Sequence, residues 1–391
     1  MRASREEDRT PAGFASVTKS LRLFVAFALF LAACSADDGG DTAVDDPGTT
    51  ESESDTAEAD DAAASDPLAD VVLGTSVPDS VTRPLALTEP LATPEVDTSV
   101  ASVPLEEVVF DLFNGSSLPL SEATPDQILG LFDRIAPIDA PEYESATAAA
   151  EWLIPDDLIV GYVDDDGGAW AYPVRILNSR EIVNDELGGQ PLVITYCPLC
   201  GSGVVFSREL DGELITLSNT SALFENDMVM VDRETGSYWW QVAGEAIVGP
   251  LTGSFMETLP AQTTSWESWV SQYPDTAVMA RDGRDYSTDI FAGYAEVLDA
   301  GRTPFPVSDG VFDDDRLAPS ARVIVATING ESRAWATSPA RTVEDEVGWV
   351  AVRLVMDGVG GAITDAEGTP LPSASAFWFS VVSAYPDIDL G

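Results

Sequence analysis

The sequence predicts a β-rich α+β protein, with hairpins plus short capped helices arranged in two related units. Three observations carry that reading. Short runs of β-branched and aromatic residues are separated by Asp-Gly, Asn-Gly and Asp-rich turns, the pattern of hairpins. A stretch of helical period, W-E-S-W-V-S-Q-Y-P-D at 266–275, has its own start and stop signals. Both patterns recur toward the C-terminus in the same order.

The chain begins with a targeting segment. Arg2, Arg5, Arg9, Lys19 and Arg22 form a basic leader, and the apolar run Leu23 to Ala33 is too short to span a bilayer. Leu31-Ala32-Ala33-Cys34 closes it like a bacterial lipoprotein signal, so Cys34 is the expected lipidated first residue of the mature chain. Residues 1–33 are thus the expected signal peptide. From residue 34 to 103 the chain reads as an acidic, disordered tether, since Asp, Glu, Ala, Ser and Thr cannot bury enough apolar surface to offset ordering entropy. The expected place is the cell envelope, lipid-anchored to the outer face of a membrane.

Charge narrows the partners. Sixty-seven acidic residues stand against nineteen basic ones, for a formal net charge of −48, with no histidine. Such a field repels nucleic acid, so the expected partner is the lipid bilayer, reached through the lipid on Cys34.

The folded part is expected over 104–391. Val108-Val109-Phe110 opens it; Ile128 to Phe132 predicts a short helix, and Ala-rich Ser145 to Leu153 another, stopped by Pro155. Leu158 to Val163 and Ala169 to Val174 form a hairpin across Asp164 to Gly168. A second hairpin is expected from Gly203–Phe206 through Asp211-Gly212 to Leu214–Leu217. Thr264-Ser265-Trp266-Glu267 has capping-box spacing, and Trp266, Trp269, Val270 and Tyr273 then share one helix face.

The repeat is concrete. Ile159-Val160 with Ala169-Trp170-Ala171 recurs, at one constant offset, as Ile324-Val325 with Ala334-Trp335-Ala336, around an Asn329-Gly330 turn. W-E-S-W-V-S-Q-Y-P-D recurs as W-F-S-V-V-S-A-Y-P-D at 378–387, seven of ten positions agreeing. The expected units are about 138–300 and 301–391. Only the first keeps cysteines; Val352 to Ile363 stands where the second would carry them.

Those cysteines lie in P-L-V-I-T-Y-C-P-L-C-G-S-G-V-V-F, 191–206. Pro198 fixes φ, and Gly201 allows a left-handed turn that aims backbone N–H groups at Cys197 and Cys200. Three chemistries are open to the pair. A structural disulfide, or two buried thiols packing the turn, is favoured. Zinc or another transition metal comes next, but a closed structural site needs four ligands and the chain offers two thiolates and no imidazole. Glu181, Asp185, Asp227 or a second subunit would complete it. Thiol redox chemistry comes last, because the residues after Cys200 read as a strand and not a helix start. Arg180, Glu181, Asn184, Asp185, Asp227 and Arg233 are the candidate pocket residues, the alternative being turn formers and surface charges. Trp239-Trp240 reads as core.

The chain resembles domain-of-unknown-function family 3179 in I-D-A-P-E-Y (138–143), A-Y-P-V-R-I-L-N (171–178), E-I-V-N-D (181–185), T-Y-C-P-L-C-G-S (195–202), N-D-M-V-M-V-D-R-E-T (226–235) and G-E-A-I-V-G-P-L-T-G (244–253). The resemblance implies no activity. The family pattern has a Trp-His pair just before E-I-V-N-D, where this chain has Ser179 and Arg180. The expected function is a non-catalytic binding or assembly protein at the cell surface; the alternative is a metal- or thiol-dependent oxidoreductase using the cysteine turn.

Overall fold

Hairpins do most of the building. The computed structural model describes residues 96–391; the expected signal peptide, Cys34 and most of the expected tether lie outside the described residues. In chain order, β1 (Val109–Asp111) and β2 (Ser117–Pro119) lead to α1 (Pro125–Leu131), then β3 (Ile138–Asp139), β4 (Tyr143–Ser145) and α2 (Ala146–Ala149). Next come β5 (Leu158–Val163), β6 (Ala169–Pro173), α3 (Val174–Leu177), β7 (Ile182–Leu187), β8 (Gln190–Cys197) and β9 (Ser202–Ser207). A minimal hairpin, β10 (Glu209–Leu210) and β11 (Glu213–Leu214), precedes β12 (Leu217–Phe224), β13 (Asp227–Asp232), β14 (Tyr238–Trp240) and β15 (Glu245–Val248). Then follow β16 (Ala261–Ser265), α4 (Trp266–Gln272), β17 (Ala277–Met279) and α5 (Tyr294–Asp299). The last stretch holds β18 (Arg322–Ile328), β19 (Glu331–Ala336), β20 (Arg341–Val347), β21 (Val350–Met356), β22 (Gly361–Asp365), β23 (Ala374–Phe377), α6 (Trp378–Ala384) and β24 (Asp389–Leu390).

Strand far outweighs helix, so the β-rich α+β class holds. Three sheets carry the fold, ordered β15-β14-β13-β12-β1-β2, β16-β5-β6-β17-β4 and β24-β19-β18-β23-β9-β8-β7-β3, beside the meander β20-β21-β22. Within them, β16-β5-β6-β17, with α4 after β16 and β17 parallel to β6, has the same connections as β23-β18-β19-β24, with α6 after β23 and β24 parallel to β19. Among the described residues no helix is long and apolar enough to cross a membrane.

Several expectations meet their physical reasons here. Asn329 and Gly330 both take positive φ, 51° and 82°, as a type I′ turn demands, and close the β18–β19 hairpin. Asp211 and Gly212 do the same at 53° and 86°, but the hairpin they close is only β10–β11. The expected long pairing of Gly203–Phe206 with Leu214–Leu217 does not form. Instead β9 pairs with β8 through the cysteine turn and β12 pairs with β13, burying both apolar runs more fully. The Ala-rich helix is one regular turn, Ala146–Ala149, capped by Ser145. α4 is capped by Ser265, which accepts from the Ser268 N–H, rather than by Thr264. Val96 and Val103 pack on the core and Ala101 bridges to Val248, so the end of the expected tether is tied to β15.

The two halves of the chain cap each other. The N–H of Phe377, at the start of α6, donates to the Cys200 carbonyl at 2.7 Å. In turn Asp357, in the β21–β22 turn, accepts from the N–H of Ser265 at the start of α4 at 2.9 Å. The cysteine turn is therefore wedged against the C-terminal half.

Candidate functional site

Cys197 ends β8 and Cys200 follows in a tight turn, the Cys200 N–H donating to the Cys197 carbonyl at 3.2 Å. Gly201 lies left-handed at φ 56°, as the sequence requires of it. Below the turn Gln241 ties its two strands together, donating to Thr195 Oγ1 at 2.8 Å and accepting from Ser202 Oγ at 2.6 Å.

Asp227 arrives from another sheet. It is the first residue of β13, set by a two-residue turn in which Glu225 and Asn226 both have positive φ, 52° and 59°. Neither is glycine, so other contacts must hold them there. Glu225 accepts from the Ser308 N–H and hydroxyl at 2.7 and 2.6 Å, and Asn226 bonds both Tyr294 and the Phe305 N–H at 3.1 Å. The turn aims two groups at the thiols: the Asn226 carbonyl, which accepts from Cys200 Sγ at 3.3 Å, and the Asp227 carboxylate.

Cys197, Cys200 and Asp227 bring one donor atom each within 4.8 Å of one another, all three buried. Asp227 Oδ2 accepts from the Val242 N–H at 2.8 Å, whereas Oδ1 is buried with no nitrogen or oxygen partner. The two sulfurs are separate free thiols. The sequence favours a disulfide between them; in the structure the turn directs both sulfurs at Asp227 instead.

Glu181 joins this group from the end of α3. Its backbone is left-handed, φ 60°, and its carboxylate accepts from Asn219 Nδ2 at 2.6 Å. With Cys197, Asn219, Met228, Phe113 and Phe305 it lines a cleft of about 60 Å³, space for a few waters or a ligand of that size. Asn219 also reaches Met228 Sδ at 3.7 Å, and β12 carries a bulge just after it. Of ten non-glycine residues with positive φ among the described residues, five (Phe113, Glu181, Ser221, Glu225 and Asn226) line this cleft or build the turn into Asp227. Such strain concentrates where a constellation is held for use.

Electrostatics point the same way. Burial pushes both thiols up, Cys200 farther than Cys197. It pushes Asp227 up to about 6, against a hydrogen bond from Val242, and Glu181, whose carboxyl end is enclosed although the residue is partly exposed, up to about 8. Among the described residues no basic side chain pairs with either carboxyl. Four acidic groups gathered out of water with no counter-charge form a site shaped for a cation.

The other candidates go elsewhere. Arg180 ion-pairs with Asp282. Asn184 and Arg233 meet at Asp139, at 2.7 Å each, and Arg233 also donates to Ser218. Asp185 points to the opposite face of β7, where Tyr143 and Tyr172 both donate to it. Trp239 and Trp240 are buried in core. Sequence reasoning missed Asn219, Met228 and Gln241, whose only signal was being polar or sulfur-bearing within buried strands.

The profile of the family described as "Protein of unknown function (DUF3179)" matches residues 132–369. The chain belongs to that family. No curated protein and no solved structure matches it. The match takes in Glu181, both cysteines and Asp227, so the whole donor set lies within the family segment.

Proposed function

We propose that this protein is an extracytoplasmic metalloprotein in which Cys197, Cys200 and Asp227 hold a thiophilic transition-metal ion, zinc being the best fit, at the base of the cleft. The observation that carries this is the buried, unpartnered Oδ1 of Asp227 facing two free thiols. An oxygen so placed costs free energy unless something coordinates it. Thiolate and carboxylate donors together suit zinc and its neighbours, not magnesium or calcium.

Three protein donors leave a fourth position. Closed structural zinc sites use four; sites that exchange a ligand keep one open. Cys197 itself lines the cleft, so the open position faces Glu181 and Asn219, with room only for water or a very small ligand. This supports a reactive or ligand-exchanging centre over a purely adhesive surface role. A bound ion would polarise its ligand, and Glu181, hydrogen-bonded by Asn219, stands ready to hold or pass a proton.

We further propose that Cys34 carries the anchoring lipid, and that the domain arose by duplication of a strand–hairpin–helix unit. The matched connections around β5–β6 and β18–β19 support the duplication.

Elemental analysis of protein purified without chelator, under reducing conditions, tests the metal reading. One metal per chain is expected, lost in Cys197→Ser. A wild type that takes up none after dialysis against zinc contradicts it.

A further inference from the structure

The metal donors all come from one half of the chain, yet the cysteine turn is buttressed by the other. We propose that Ser380, on α6, is a positioning residue of this centre: its hydroxyl donates to the Cys200 sulfur and holds that thiolate against the ion. This rests on the metal reading above.

The geometry begins at the start of α6. The Phe377 N–H holds the Cys200 carbonyl at 2.7 Å. The Phe377 ring lies so close to Gly201 that an added Cβ would come within 2.8 Å of it. Arg322 stacks on that ring at 4.7 Å and donates to the Gly201 carbonyl at 3.0 Å. Phe377 and Phe379 pack in one apolar cluster with both cysteines. One helical turn from that anchor, Ser380 is 1% exposed, and its Oγ has no nitrogen or oxygen partner.

That orphan hydroxyl needs explaining. A buried helical serine ordinarily returns its proton to the carbonyl four residues back, and Ser383 does so, donating to Phe379 O at 3.1 Å. Ser380 makes no such bond. Its hydroxyl bears on the Cys200 thiol and favours its ionised form. A thiolate bound to metal keeps lone pairs that a donor can hold, and groups in that outer position fix ligand orientation and raise metal affinity, typically 10–100-fold. The residues concerned, 377–380, lie past the end of the matched family segment at 369.

Cobalt(II) titration of the full chain, reduced and monitored by absorption, tests this. Wild type should show sulfur-to-cobalt charge transfer. Ser380→Ala should weaken cobalt binding roughly tenfold and move the band to lower energy, because a thiolate that loses a hydrogen bond is the easier electron donor. Ser380→Cys, nearly isosteric and a weaker donor, should move both in the same direction by less, and it serves if the alanine variant does not fold. If wild type binds cobalt and these variants keep its affinity and band, the proposal is overturned while the metal reading stands. If wild type shows no charge transfer, the metal reading itself falls.

Discussion

Replacing Asp227 with Asn tests the third donor with little change of shape. The amide oxygen can still accept from the Val242 N–H, now 2.8 Å from Oδ2. What changes is the group facing the thiols: an acceptor becomes an NH₂ that cannot bind a cation. Removing a buried charge and keeping that hydrogen bond should leave the metal-free protein's Tm within a few degrees of wild type. The metal response is where the variants part. Zinc at about 100 times its Kd stabilises a one-site protein by about 2.7 kcal/mol. For a domain of this size that is roughly 5–10 °C in Tm. Thermal unfolding of reduced protein with and without zinc should show that shift in wild type and little or none in Asp227→Asn. Equal zinc-dependent shifts in the two proteins would refute the assignment of Asp227 as a donor.

Other perturbations probe the frame around the site. Gly161→Ala would put a Cβ 2.4 Å from the Trp269 ring, which is fully buried and fixed by its indole bond to Thr276; overpacking should cost about 1–3 kcal/mol, and an unchanged urea midpoint would contradict this. Asp357 accepts from Thr264 Oγ1, the Ser265 N–H, the Val359 N–H and the Gly360 N–H. Burial alone would raise its pKa, but these bonds hold it below the usual carboxylate range. Its contribution is therefore present above about pH 4 and lost as pH falls through the folded value. Asp357→Asn should lower stability by about 1–3 kcal/mol at pH 7 and flatten the loss on acidification, read from urea unfolding across pH 3–7; parallel pH profiles would count against the cap. Cys34→Ser should move the protein from the membrane to the soluble fraction, and a wild type already soluble would dispose of the anchor.

Particular residues show what the sequence made legible. Asn329-Gly330 announced its hairpin because those residue types accept positive φ at low cost. Glu225-Asn226 adopts the same geometry without announcing it, since Ser308, Tyr294 and Phe305, some seventy to eighty residues away, impose it. The Trp266 helix face and the cysteine turn could be read because their signals are local. Choosing among Glu181, Asp185 and Asp227 as companions of the cysteines could not, because it depends on which strands cross. One part was within reach: Asn184 and Asp185 are neighbours on a strand, so their side chains must leave opposite faces and cannot line one pocket. Ser380 gave no signal, since nothing local marks a serine whose partner lies 180 positions earlier.

X-ray absorption at the zinc edge of the metal-loaded, reduced protein tests the central claim most directly. It should find two sulfur scatterers at about 2.3 Å and two lighter ones at about 2.0–2.1 Å, one from Asp227 and one from an exchangeable ligand in the cleft. A first shell without sulfur, or with four sulfurs, would contradict a centre built from Cys197, Cys200 and Asp227.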